Sequence, residues 1–166
     1  FPQALAHQLY TNGVVYGVDP WTQEDAKEEG YPELKDKIDE FVDKTDFDQI
    51  FSQVDAFNRS NGFEKNCILV RKKSEDAVKY FRDNKIKFDL IHIDGNHDTK
   101  FVMNDVELYL PLLNKSGFMV MDDISWNSVK PALNVLDNKT CLVSLRKDGE
   151  NDYAIYRNER TKFKSS

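Results

Sequence analysis

Short apolar runs rich in β-branched residues alternate along this chain with longer stretches in which apolar residues recur three and four positions apart. This alternation predicts an α/β fold, in which helices wind doubly around a mostly parallel sheet. A polar segment with an Asp-Gly turn, residues 146–152, predicts a C-terminal antiparallel hairpin. The predicted strands are residues 14–18, 67–71, 88–93, 117–121, 140–145 and 153–157, the first four apolar enough to be buried and parallel.

The helical periodicity predicts five helices, and local signals mark two of their ends. Ser74 begins the sequence SEDAVKYF as an expected N-cap, and Lys115, Ser116 and Gly117 are expected to end the fourth helix before the next strand. The predicted helices are residues 2–11, part of 33–60, 74–84, 101–113 and 127–138.

Length and charge exclude several classes of protein. With 166 residues and no run of 18 or more apolar residues, the chain is expected to form one domain, residues 1–166, without a membrane span. The net charge is −6, and residues 20–49 hold 11 acids against four lysines, so nucleic-acid binding is not expected. Cys67 and Cys141 each lie in an apolar run, which favours buried thiols in a reducing compartment such as the cytoplasm.

The acidic stretch at residues 22–45 is too long for an ordinary connection between a strand and a helix, and Gly30 and Pro32 interrupt it. Two interpretations stay open. The stretch is a solvated helical insertion, or it is a lid, because long loops at the carboxyl ends of strands are where α/β proteins place their active sites.

Carboxylates follow three of the predicted parallel strands. Asp19 follows the first, Asp94 the third, and Asp122 and Asp123 the fourth. The carboxyl ends of neighbouring parallel strands meet at one crevice, so these acids are expected to face it together. A single aspartate there is more often a turn or N-cap residue, but the repetition favours a site for a hard divalent cation such as Mg²⁺ at Asp94, Asp122 and Asp123.

Two histidines lie close to Asp94 in the sequence. His97 is three residues later, in the loop that leaves the third predicted parallel strand, where it suits the role of a general base because its pKa lies near working pH. The structural alternative is a loop histidine that is hydrogen-bonded to the start of a helix. His92 lies within the strand and is expected to pack in the sheet.

Two segments together resemble the class I S-adenosylmethionine-dependent methyltransferases, above all the metal-dependent O-methyltransferases of sugars, macrolides and catechols. The first segment, VVYGVDPW at residues 14–21, is similar to the family's second strand with its acidic end. The second, residues 88–124, contains a hydrophobic strand, IDGNH, a helix with an aspartate, PLL, a glycine, a strand and DD in the family's order. The resemblance covers residues 1–157 and implies the family's Rossmann-like fold.

The resemblance also implies a role for each matching residue. Asp19 would accept hydrogen bonds from the ribose hydroxyls of S-adenosylmethionine, and the cofactor site would also include Trp21, Lys73, Ser74 and Asp94. The divalent cation, Mg²⁺ or another, would be bound by Asp94, Asp122 and Asp123 and would bring the acceptor's hydroxyls to the methyl group. The catalytic residues would be Asp94 and His97, the latter as the base.

Two features depart from the family pattern. Thr99 stands where the family has an aromatic residue, and no G-x-G occurs in the chain, although the family binds the methionine and ribose of its cofactor with a Gly-rich loop after its first strand. The family order places that strand between those at 14–18 and 88–93, so its absence would expose two inner edges. We therefore expect an N-terminally incomplete domain, completed by a longer chain or by a partner such as a second copy, or a degenerate one.

The sequence thus predicts an S-adenosylmethionine-dependent O-methyltransferase that acts, with a divalent metal, on a sugar, glycan or other small hydroxylated acceptor. The alternative is a non-catalytic methyltransferase-like module of a larger protein such as a glycosyltransferase, which the missing Gly-rich loop favours. A Rossmann-like dehydrogenase is disfavoured because the chain lacks G-x-G-x-x-G and because the DD pair has no role in hydride transfer.

Overall fold

The computed structural model describes residues 13–29, 32–148 and 152–159 and has a mixed α/β architecture. Its strands are β1 (Val15–Asp19), β2 (Cys67–Arg71), β3 (Phe88–Ile93), β4 (Leu113–Asp122), β5 (Cys141–Arg146) and β6 (Tyr153–Arg157). Its α-helices are α1 (Gln23–Ala26), α2 (Lys35–Lys44), α3 (Phe47–Ser60), α4 (Ser74–Asp83), α5 (Thr99–Tyr109) and α6 (Lys130–Lys139), and 3₁₀ turns cover Pro32–Leu34 and Leu110–Leu112.

The strands of the described residues form two sheets. β1 and β2 pair in parallel, and the second sheet has the order β3-β4-β6-β5. In that sheet β3 is parallel to β4, whereas β6 is antiparallel to both β4 and β5. The predicted fold class and the C-terminal hairpin are therefore confirmed. β1 and β3 belong to different sheets, and the resemblance assigns a further strand to the position between them.

The bulge in β4 explains the largest error in the predicted elements. Residues 115–117, expected to end a helix, lie inside β4, whose pairing with β3 changes from Phe88–Leu113 to Leu90–Phe118. Ser116 adopts a left-handed φ of 64°, and a Cβ on Gly117 would come within 3.0 Å of a β3 carbonyl oxygen. The polar residues followed by Gly117 therefore mark a bulge within β4 and not the end of a helix before the strand.

The remaining strand boundaries agree closely with the predictions, whereas α5 spans Thr99–Tyr109 instead of 101–113 and α6 begins at Lys130 instead of residue 127. The other predicted strands match within one residue, but the helix expected at 2–11 and residues 149–151 of the hairpin turn lie outside the described residues. Ser74 is the first residue of α4, and Lys73 is its N-cap, so the expected cap was wrong by one position. Among the helices that the structure describes, none is both long and apolar enough to cross a bilayer.

The main core lies between the four-stranded sheet and α4, α5 and α6. Phe81 of α4 is fully buried, and its ring contacts Tyr16 of β1 and Phe88 of β3 at centroid distances of 5.2 and 5.0 Å. The opposite sheet face is exposed at Leu90 and Phe118, so the prediction of burial on both faces was wrong for β3 and β4. Phe81, together with a direct contact between the Tyr16 and Phe88 rings at 5.9 Å, therefore joins the two sheets to a shared core.

Candidate active site

The carboxyl ends of β3 and β4 bring the predicted acids together. Ile93 of β3 lies opposite Met121 of β4, so the residues that follow them, Asp94 and Asp122, lie at the same level of the sheet. Asp123 comes next, with a left-handed φ of 50° that an aspartate tolerates better than most residues. Its backbone N–H donates to Asp122 Oδ1 at 3.1 Å. The parallel register thus brings Asp94 and Asp122 side by side, whereas Asp19 ends a strand of the other sheet and does not join them.

Two groups of three side chains around Asp94 have ligand atoms within 4.8 Å of one another. One group consists of His92, Asp94 and Asp122, and the other of Asp94, His97 and Asp123. Carboxylate oxygens suit Mg²⁺, and imidazole nitrogens suit transition metals such as zinc or iron. The donors present therefore fit a divalent cation, and Asp94 belongs to both possible ligand groups.

His92 does not pack within the sheet as expected. Its side chain is 32% exposed, on the face opposite the buried Ile91, and its Nε2 lies 3.3 Å from Asp122 Oδ2. The expectation failed because that face of β3 is exposed, and the apolar sequence of the strand does not show which of its faces is buried.

His97 lies between two carboxylates and is largely buried, with 14% of its side chain exposed. Its Nδ1 is 3.1 Å from Glu28 Oε1, and the same oxygen accepts a hydrogen bond from the His97 backbone N–H at 3.0 Å. Its Nε2 is 3.0 Å from Asp123 Oδ2, but the angles are not those of a hydrogen bond, and this buried nitrogen has no hydrogen-bond partner. The Trp126 ring lies beside it, 4.7 Å between centroids.

Burial and the charges of neighbouring side chains shift the pKa values of His97, Asp94 and Asp123. Burial alone would lower the pKa of His97, but Glu28, Asp123 and Asp94 outweigh it and leave that pKa raised. Burial raises the pKa of Asp94, and repulsion from Asp122 adds to the effect. The pKa of Asp123 is raised as well, mainly by burial. Asp94 and Asp123 thus bind protons more tightly than free aspartates do.

The first part of the acidic stretch, which we call the acidic strap (residues 22–29), contacts the loop after β3. Asn96 donates from Nδ2 to the carbonyl oxygens of Asp25 and Lys27 at 3.1 and 2.8 Å. The backbone N–H of Glu29 donates to Asp98 Oδ1 at 2.7 Å. The acidic strap therefore lies against residues 96–98, and the lid and insertion interpretations of residues 22–45 both stay predictions.

The residues predicted to bind the cofactor lie near the ends of β1 and β2. Asp19 Oδ1 accepts a hydrogen bond from the Trp21 backbone N–H at 2.5 Å, and the Trp21 ring packs on Phe51 of α3. Partial burial raises the pKa of Asp19, and the hydrogen bond from Trp21 opposes that shift. Lys73 forms an ion pair with Asp25 of the acidic strap, with Nζ and Oδ1 2.6 Å apart.

Two residues of this region were missed by reasoning from the sequence, and a third was part of the resemblance without an assigned role. Glu28 was one of 11 acids in its stretch, and no spacing distinguished it. Trp126 follows the DD pair and gave no signal of its contact with His97. Asp105 of α5 is hydrogen-bonded to Ser74, and burial raises its pKa to about 6 despite that bond. The resemblance includes the aspartate of this helix, but it implied no role for Asp105.

Thr99 stands at the position where the resemblance expects an aromatic residue. Its hydroxyl donates to the carbonyl oxygen of Ser128 at 2.9 Å and so joins the start of α5 to the loop after β4. An aromatic ring next to His97 comes instead from Trp126 of that loop.

Solved structures of methyltransferases are similar to this fold. CalS11, a TDP-rhamnose 3'-O-methyltransferase in calicheamicin biosynthesis, is 20% identical with a TM-score of 0.54 over 92% of this chain. The O-methyltransferase NovP is 13% identical with a TM-score of 0.60 over 94% of this chain. An O-methyltransferase from Bacillus cereus in complex with SAH is 12% identical with a TM-score of 0.56 over 93% of it. The chain spans 64% of CalS11, 64% of NovP and 67% of the Bacillus enzyme.

Two comparisons concern the sequence itself. The uncharacterized protein R132 of Acanthamoeba polyphaga mimivirus is 42% identical over 50 residues, which are 28% of this chain and 23% of that protein. A family model described as a methyltransferase domain matches residues 2–124, well over half of the chain. Its fold is that of the class I S-adenosylmethionine-dependent methyltransferases. Because the family model matches most of its sequence, the chain belongs to the methyltransferase domain family.

Proposed function

We propose that this chain is an S-adenosylmethionine-dependent O-methyltransferase domain that methylates a hydroxyl of a sugar, glycan or other small hydroxylated acceptor with the help of a divalent metal. The observation that carries the proposal is the buried Nε2 of His97, which has no hydrogen-bond partner and lies at the edge occupied by Asp94 and Asp123. When the ring is neutral with its lone pair on Nε2, this nitrogen suits the removal of a proton from an acceptor hydroxyl.

S-Adenosylmethionine, when bound, supplies a methyl group activated by a sulfonium sulfur. Asp19 would accept hydrogen bonds from its ribose hydroxyls, since it is the last residue of β1 and its carboxylate is oriented by the Trp21 N–H. Trp21, Lys73 and Ser74 would complete this part of the site. These residues fit the nucleoside end of the cofactor, whereas the chain has no G-x-G loop for the methionine end.

Asp94, Asp122 and Asp123 would hold the divalent cation, Mg²⁺ or another, whose charge favours the ionised form of an acceptor hydroxyl. His97 Nε2 would take the hydroxyl proton while the acceptor oxygen bonds to the methyl carbon and the carbon–sulfur bond breaks. Methyl transfer is an in-line displacement, so holding the acceptor oxygen in line is the main work left to these residues. The acceptor class in this proposal draws on CalS11, a TDP-rhamnose 3'-O-methyltransferase.

Calorimetric titration with S-adenosylhomocysteine, with and without Mg²⁺, tests the proposal once circular dichroism has shown that the chain is folded. We expect saturable binding, which would direct the search for acceptors to molecules with vicinal hydroxyls. A folded chain that binds no S-adenosylhomocysteine under either condition would contradict the proposed function for this chain.

The base role of His97 has a separate test. His97→Ala is expected to lower the rate of methyl transfer far more than the affinity for S-adenosylhomocysteine, because the ring would act on the acceptor proton and not on the cofactor. Equal losses in rate and affinity would count against that role.

The second candidate is a non-catalytic methyltransferase-like module of a larger protein, such as a glycosyltransferase. The assignment of β1 and β3 to separate sheets favours it, together with the missing G-x-G. The carboxylates around Asp94 oppose it, because a binding module has no need of like charges that repel one another. S-Adenosylhomocysteine binding without any methyl transfer to a panel of hydroxylated acceptors would favour the module.

A further inference from the structure

Three potential metal ligands lie on one face of the four-stranded sheet. Successive side chains of a strand point to opposite faces, so Asp94, two positions after His92, continues the face of β3 on which His92 lies. His92 pairs with Val120 of β4, and Asp122 lies two positions after Val120 on the same face. This is the exposed face, opposite the core in which Ile91 packs. Two paired strands therefore bring an imidazole and two carboxylates together on the surface of the sheet.

The separations between the ligand atoms fit a single ion. The ligand atoms of the three side chains lie within 4.8 Å of one another, and His92 Nε2 lies 3.3 Å from Asp122 Oδ2. Two atoms bound at about 2.1 Å to one transition-metal ion lie about 3.0 Å apart at the right angle of an octahedron and about 3.4 Å apart in a tetrahedron. His92 and Asp122 are therefore already at the spacing of two ligands, and both are exposed enough for an ion to reach them.

The second aspartate of the DD pair belongs to a different group. Asp123 has a left-handed φ of 50°, which interrupts the alternation of the strand, and its carboxylate lies with that of Asp94 and with His97. The group on the sheet face thus contains one nitrogen and two oxygens, and not oxygens alone. Carboxylates suit Mg²⁺, Ca²⁺ and Mn²⁺, whereas imidazole suits zinc, iron, nickel and copper. The nitrogen of His92 therefore decides which ions this group prefers.

We infer that His92 is a further ligand of the divalent cation, together with Asp94 and Asp122, and that its imidazole makes the site select a transition-metal ion over Mg²⁺. The inference rests on the divalent cation of the proposed function and names the chemical class of that cation. Mg²⁺ keeps several waters around one or two carboxylates and gains little from a nitrogen donor. A transition-metal ion gains a bond to Nε2, and its charge offsets the repulsion between the two carboxylates.

Calorimetric titration of the chain with Co²⁺ alone and with Mg²⁺ alone tests the inference, and the visible absorption of bound Co²⁺ reports its ligands without any assay of activity. We expect saturable binding that is tighter for Co²⁺. His92→Gln, which puts an oxygen donor near the position of Nε2, should weaken Co²⁺ binding at least about tenfold and change the spectrum, since even residues that only orient a ligand contribute about 10–100-fold to metal affinity. Mg²⁺ binding should change by less than about threefold.

Three further variants locate the effect. Leu90→Gln introduces the same amide on the same face of β3, two residues before His92, and should leave both affinities unchanged. Asp94→Asn should weaken the binding of both ions, because Asp94 belongs to both groups of ligand atoms. His97→Gln should keep the preference for Co²⁺, because His97 belongs to the other group.

The inference is overturned if the unaltered chain binds no Co²⁺ or binds Mg²⁺ at least as tightly, if the affinity for Co²⁺ and its spectrum survive His92→Gln, or if His97→Gln removes the preference instead. Each of these results would leave the contact between His92 and Asp122 as a hydrogen bond without a role in selecting the metal. The first needs no variant, so it remains decisive if His92→Gln fails to fold. Failure of the proposed function would look different, because a preference for Co²⁺ that depends on His92 would be found in a chain that binds no S-adenosylhomocysteine.

Discussion

The two strand-end regions of this molecule are built differently. At the ends of β3 and β4, Asp94 belongs to two groups of potential ligand atoms, and His97 is held between Glu28 and Asp123. At the ends of β1 and β2, Asp19 contacts the backbone next to it, and Lys73 pairs with an acid of the strap. The first region is a converging charge cluster on a four-stranded sheet, and the second is a set of separate contacts on a two-stranded one.

This difference indicates which part of the hydrophobic core supports metal binding and which supports cofactor binding. The acids that would bind the metal and orient the acceptor follow strands whose inward side chains, such as Met119 and Met121, are fully buried. The residues that would handle the nucleoside stand on strands linked to that core through Tyr16 and Phe81. We therefore expect metal binding to survive changes that loosen the β1–β2 sheet.

The largest effect is expected from Phe81→Ala, which removes the ring shared by Tyr16 and Phe88. Replacing a fully buried phenylalanine by alanine costs about 3–5 kcal/mol of the free energy of unfolding, because it loses apolar burial and leaves a cavity. Urea denaturation measures this loss. Hydrogen exchange should accelerate more in β1 and β2 than in β4, since β4 keeps its own buried contacts.

Phe41→Ala is the matched control for Phe81→Ala. Phe41 is 63% exposed on α2, so its removal should change the free energy of unfolding by no more than about 0.5 kcal/mol. Equal acceleration of exchange in β1 and β4 would show that the two sheets unfold as one unit and would remove the basis of the comparison.

The next largest effect concerns the metal and Asp94. A divalent cation at 100 times its dissociation constant adds about 2.7 kcal/mol to the free energy of unfolding, which for a chain of this length raises the melting temperature by about 5 °C or more. Asp94→Asn should abolish the rise because Asp94 is common to both groups of ligand atoms. Differential scanning fluorimetry with and without Mg²⁺ or Mn²⁺ measures it.

Asp83→Asn, at the exposed end of α4, is the control for the metal experiment and should keep the full rise. If Asp94→Asn keeps it too, the predicted metal site is wrong, and the perturbed carboxyls of this region need another explanation.

The sequence predicted what depends on local pattern and strand order. Strands were recognisable by their apolar runs. Because neighbouring parallel strands end at the same edge of a sheet, Asp94, Asp122 and Asp123 could be placed near one another from the sequence. The bulge in β4 could not be predicted, because a serine followed by a glycine, as at Ser116 and Gly117, is compatible both with a bulge and with the end of a helix.

Contacts across long sequence separations were the part that could not be predicted. Glu28 meets His97 only because the acidic strap folds back onto the loop after β3, and any of its acidic neighbours had the same sequence signal. The resemblance includes Asp105 as the aspartate of its helix, but its raised pKa could not be predicted, since it comes from burial beside Ser74 at the start of α4, which depends on tertiary packing.

Asp105 gives an intermediate effect with a defined pH dependence. Burial raises its pKa from 3.8 to about 6, so the unfolded chain releases this proton first as the pH rises. Ionisation therefore destabilises the fold progressively between about pH 4 and pH 6. Asp105→Asn removes this cost and keeps an oxygen for Ser74.

The variant should accordingly gain on the order of 2 kcal/mol over the wild type at about pH 7, compared with their difference at about pH 4. Urea denaturation at the two pH values measures the change. Glu107→Gln, an exposed acid on the same helix, should show no such change with pH. A pH-independent difference for Asp105→Asn would mean that the carboxyl is solvated and ionises normally.

The smallest effect is expected where the two regions meet, at Asn96. Its amide donates to two carbonyl oxygens of the acidic strap, and its Oδ1 accepts from the Asp98 N–H at 2.9 Å. Asn96→Ala removes these bonds but leaves partly exposed groups that water can reach, so the free energy of unfolding should fall by only about 1 kcal/mol. Limited proteolysis should nevertheless cut within residues 22–29 several times faster, because local opening needs less energy than global unfolding.

Asn138→Ala provides the comparison for Asn96→Ala, since the Asn138 amide donates to the carbonyl oxygen of Asn134 within its own helix, α6. That variant should leave cleavage within residues 22–29 unchanged. Faster cleavage in Asn96→Ala with an unchanged melting temperature would mean that the acidic strap opens independently of both sheets. Unchanged cleavage in Asn96→Ala would mean that Glu28 and the Lys73–Asp25 pair suffice to hold the strap, which would make it a fixed wall of the site and not a lid.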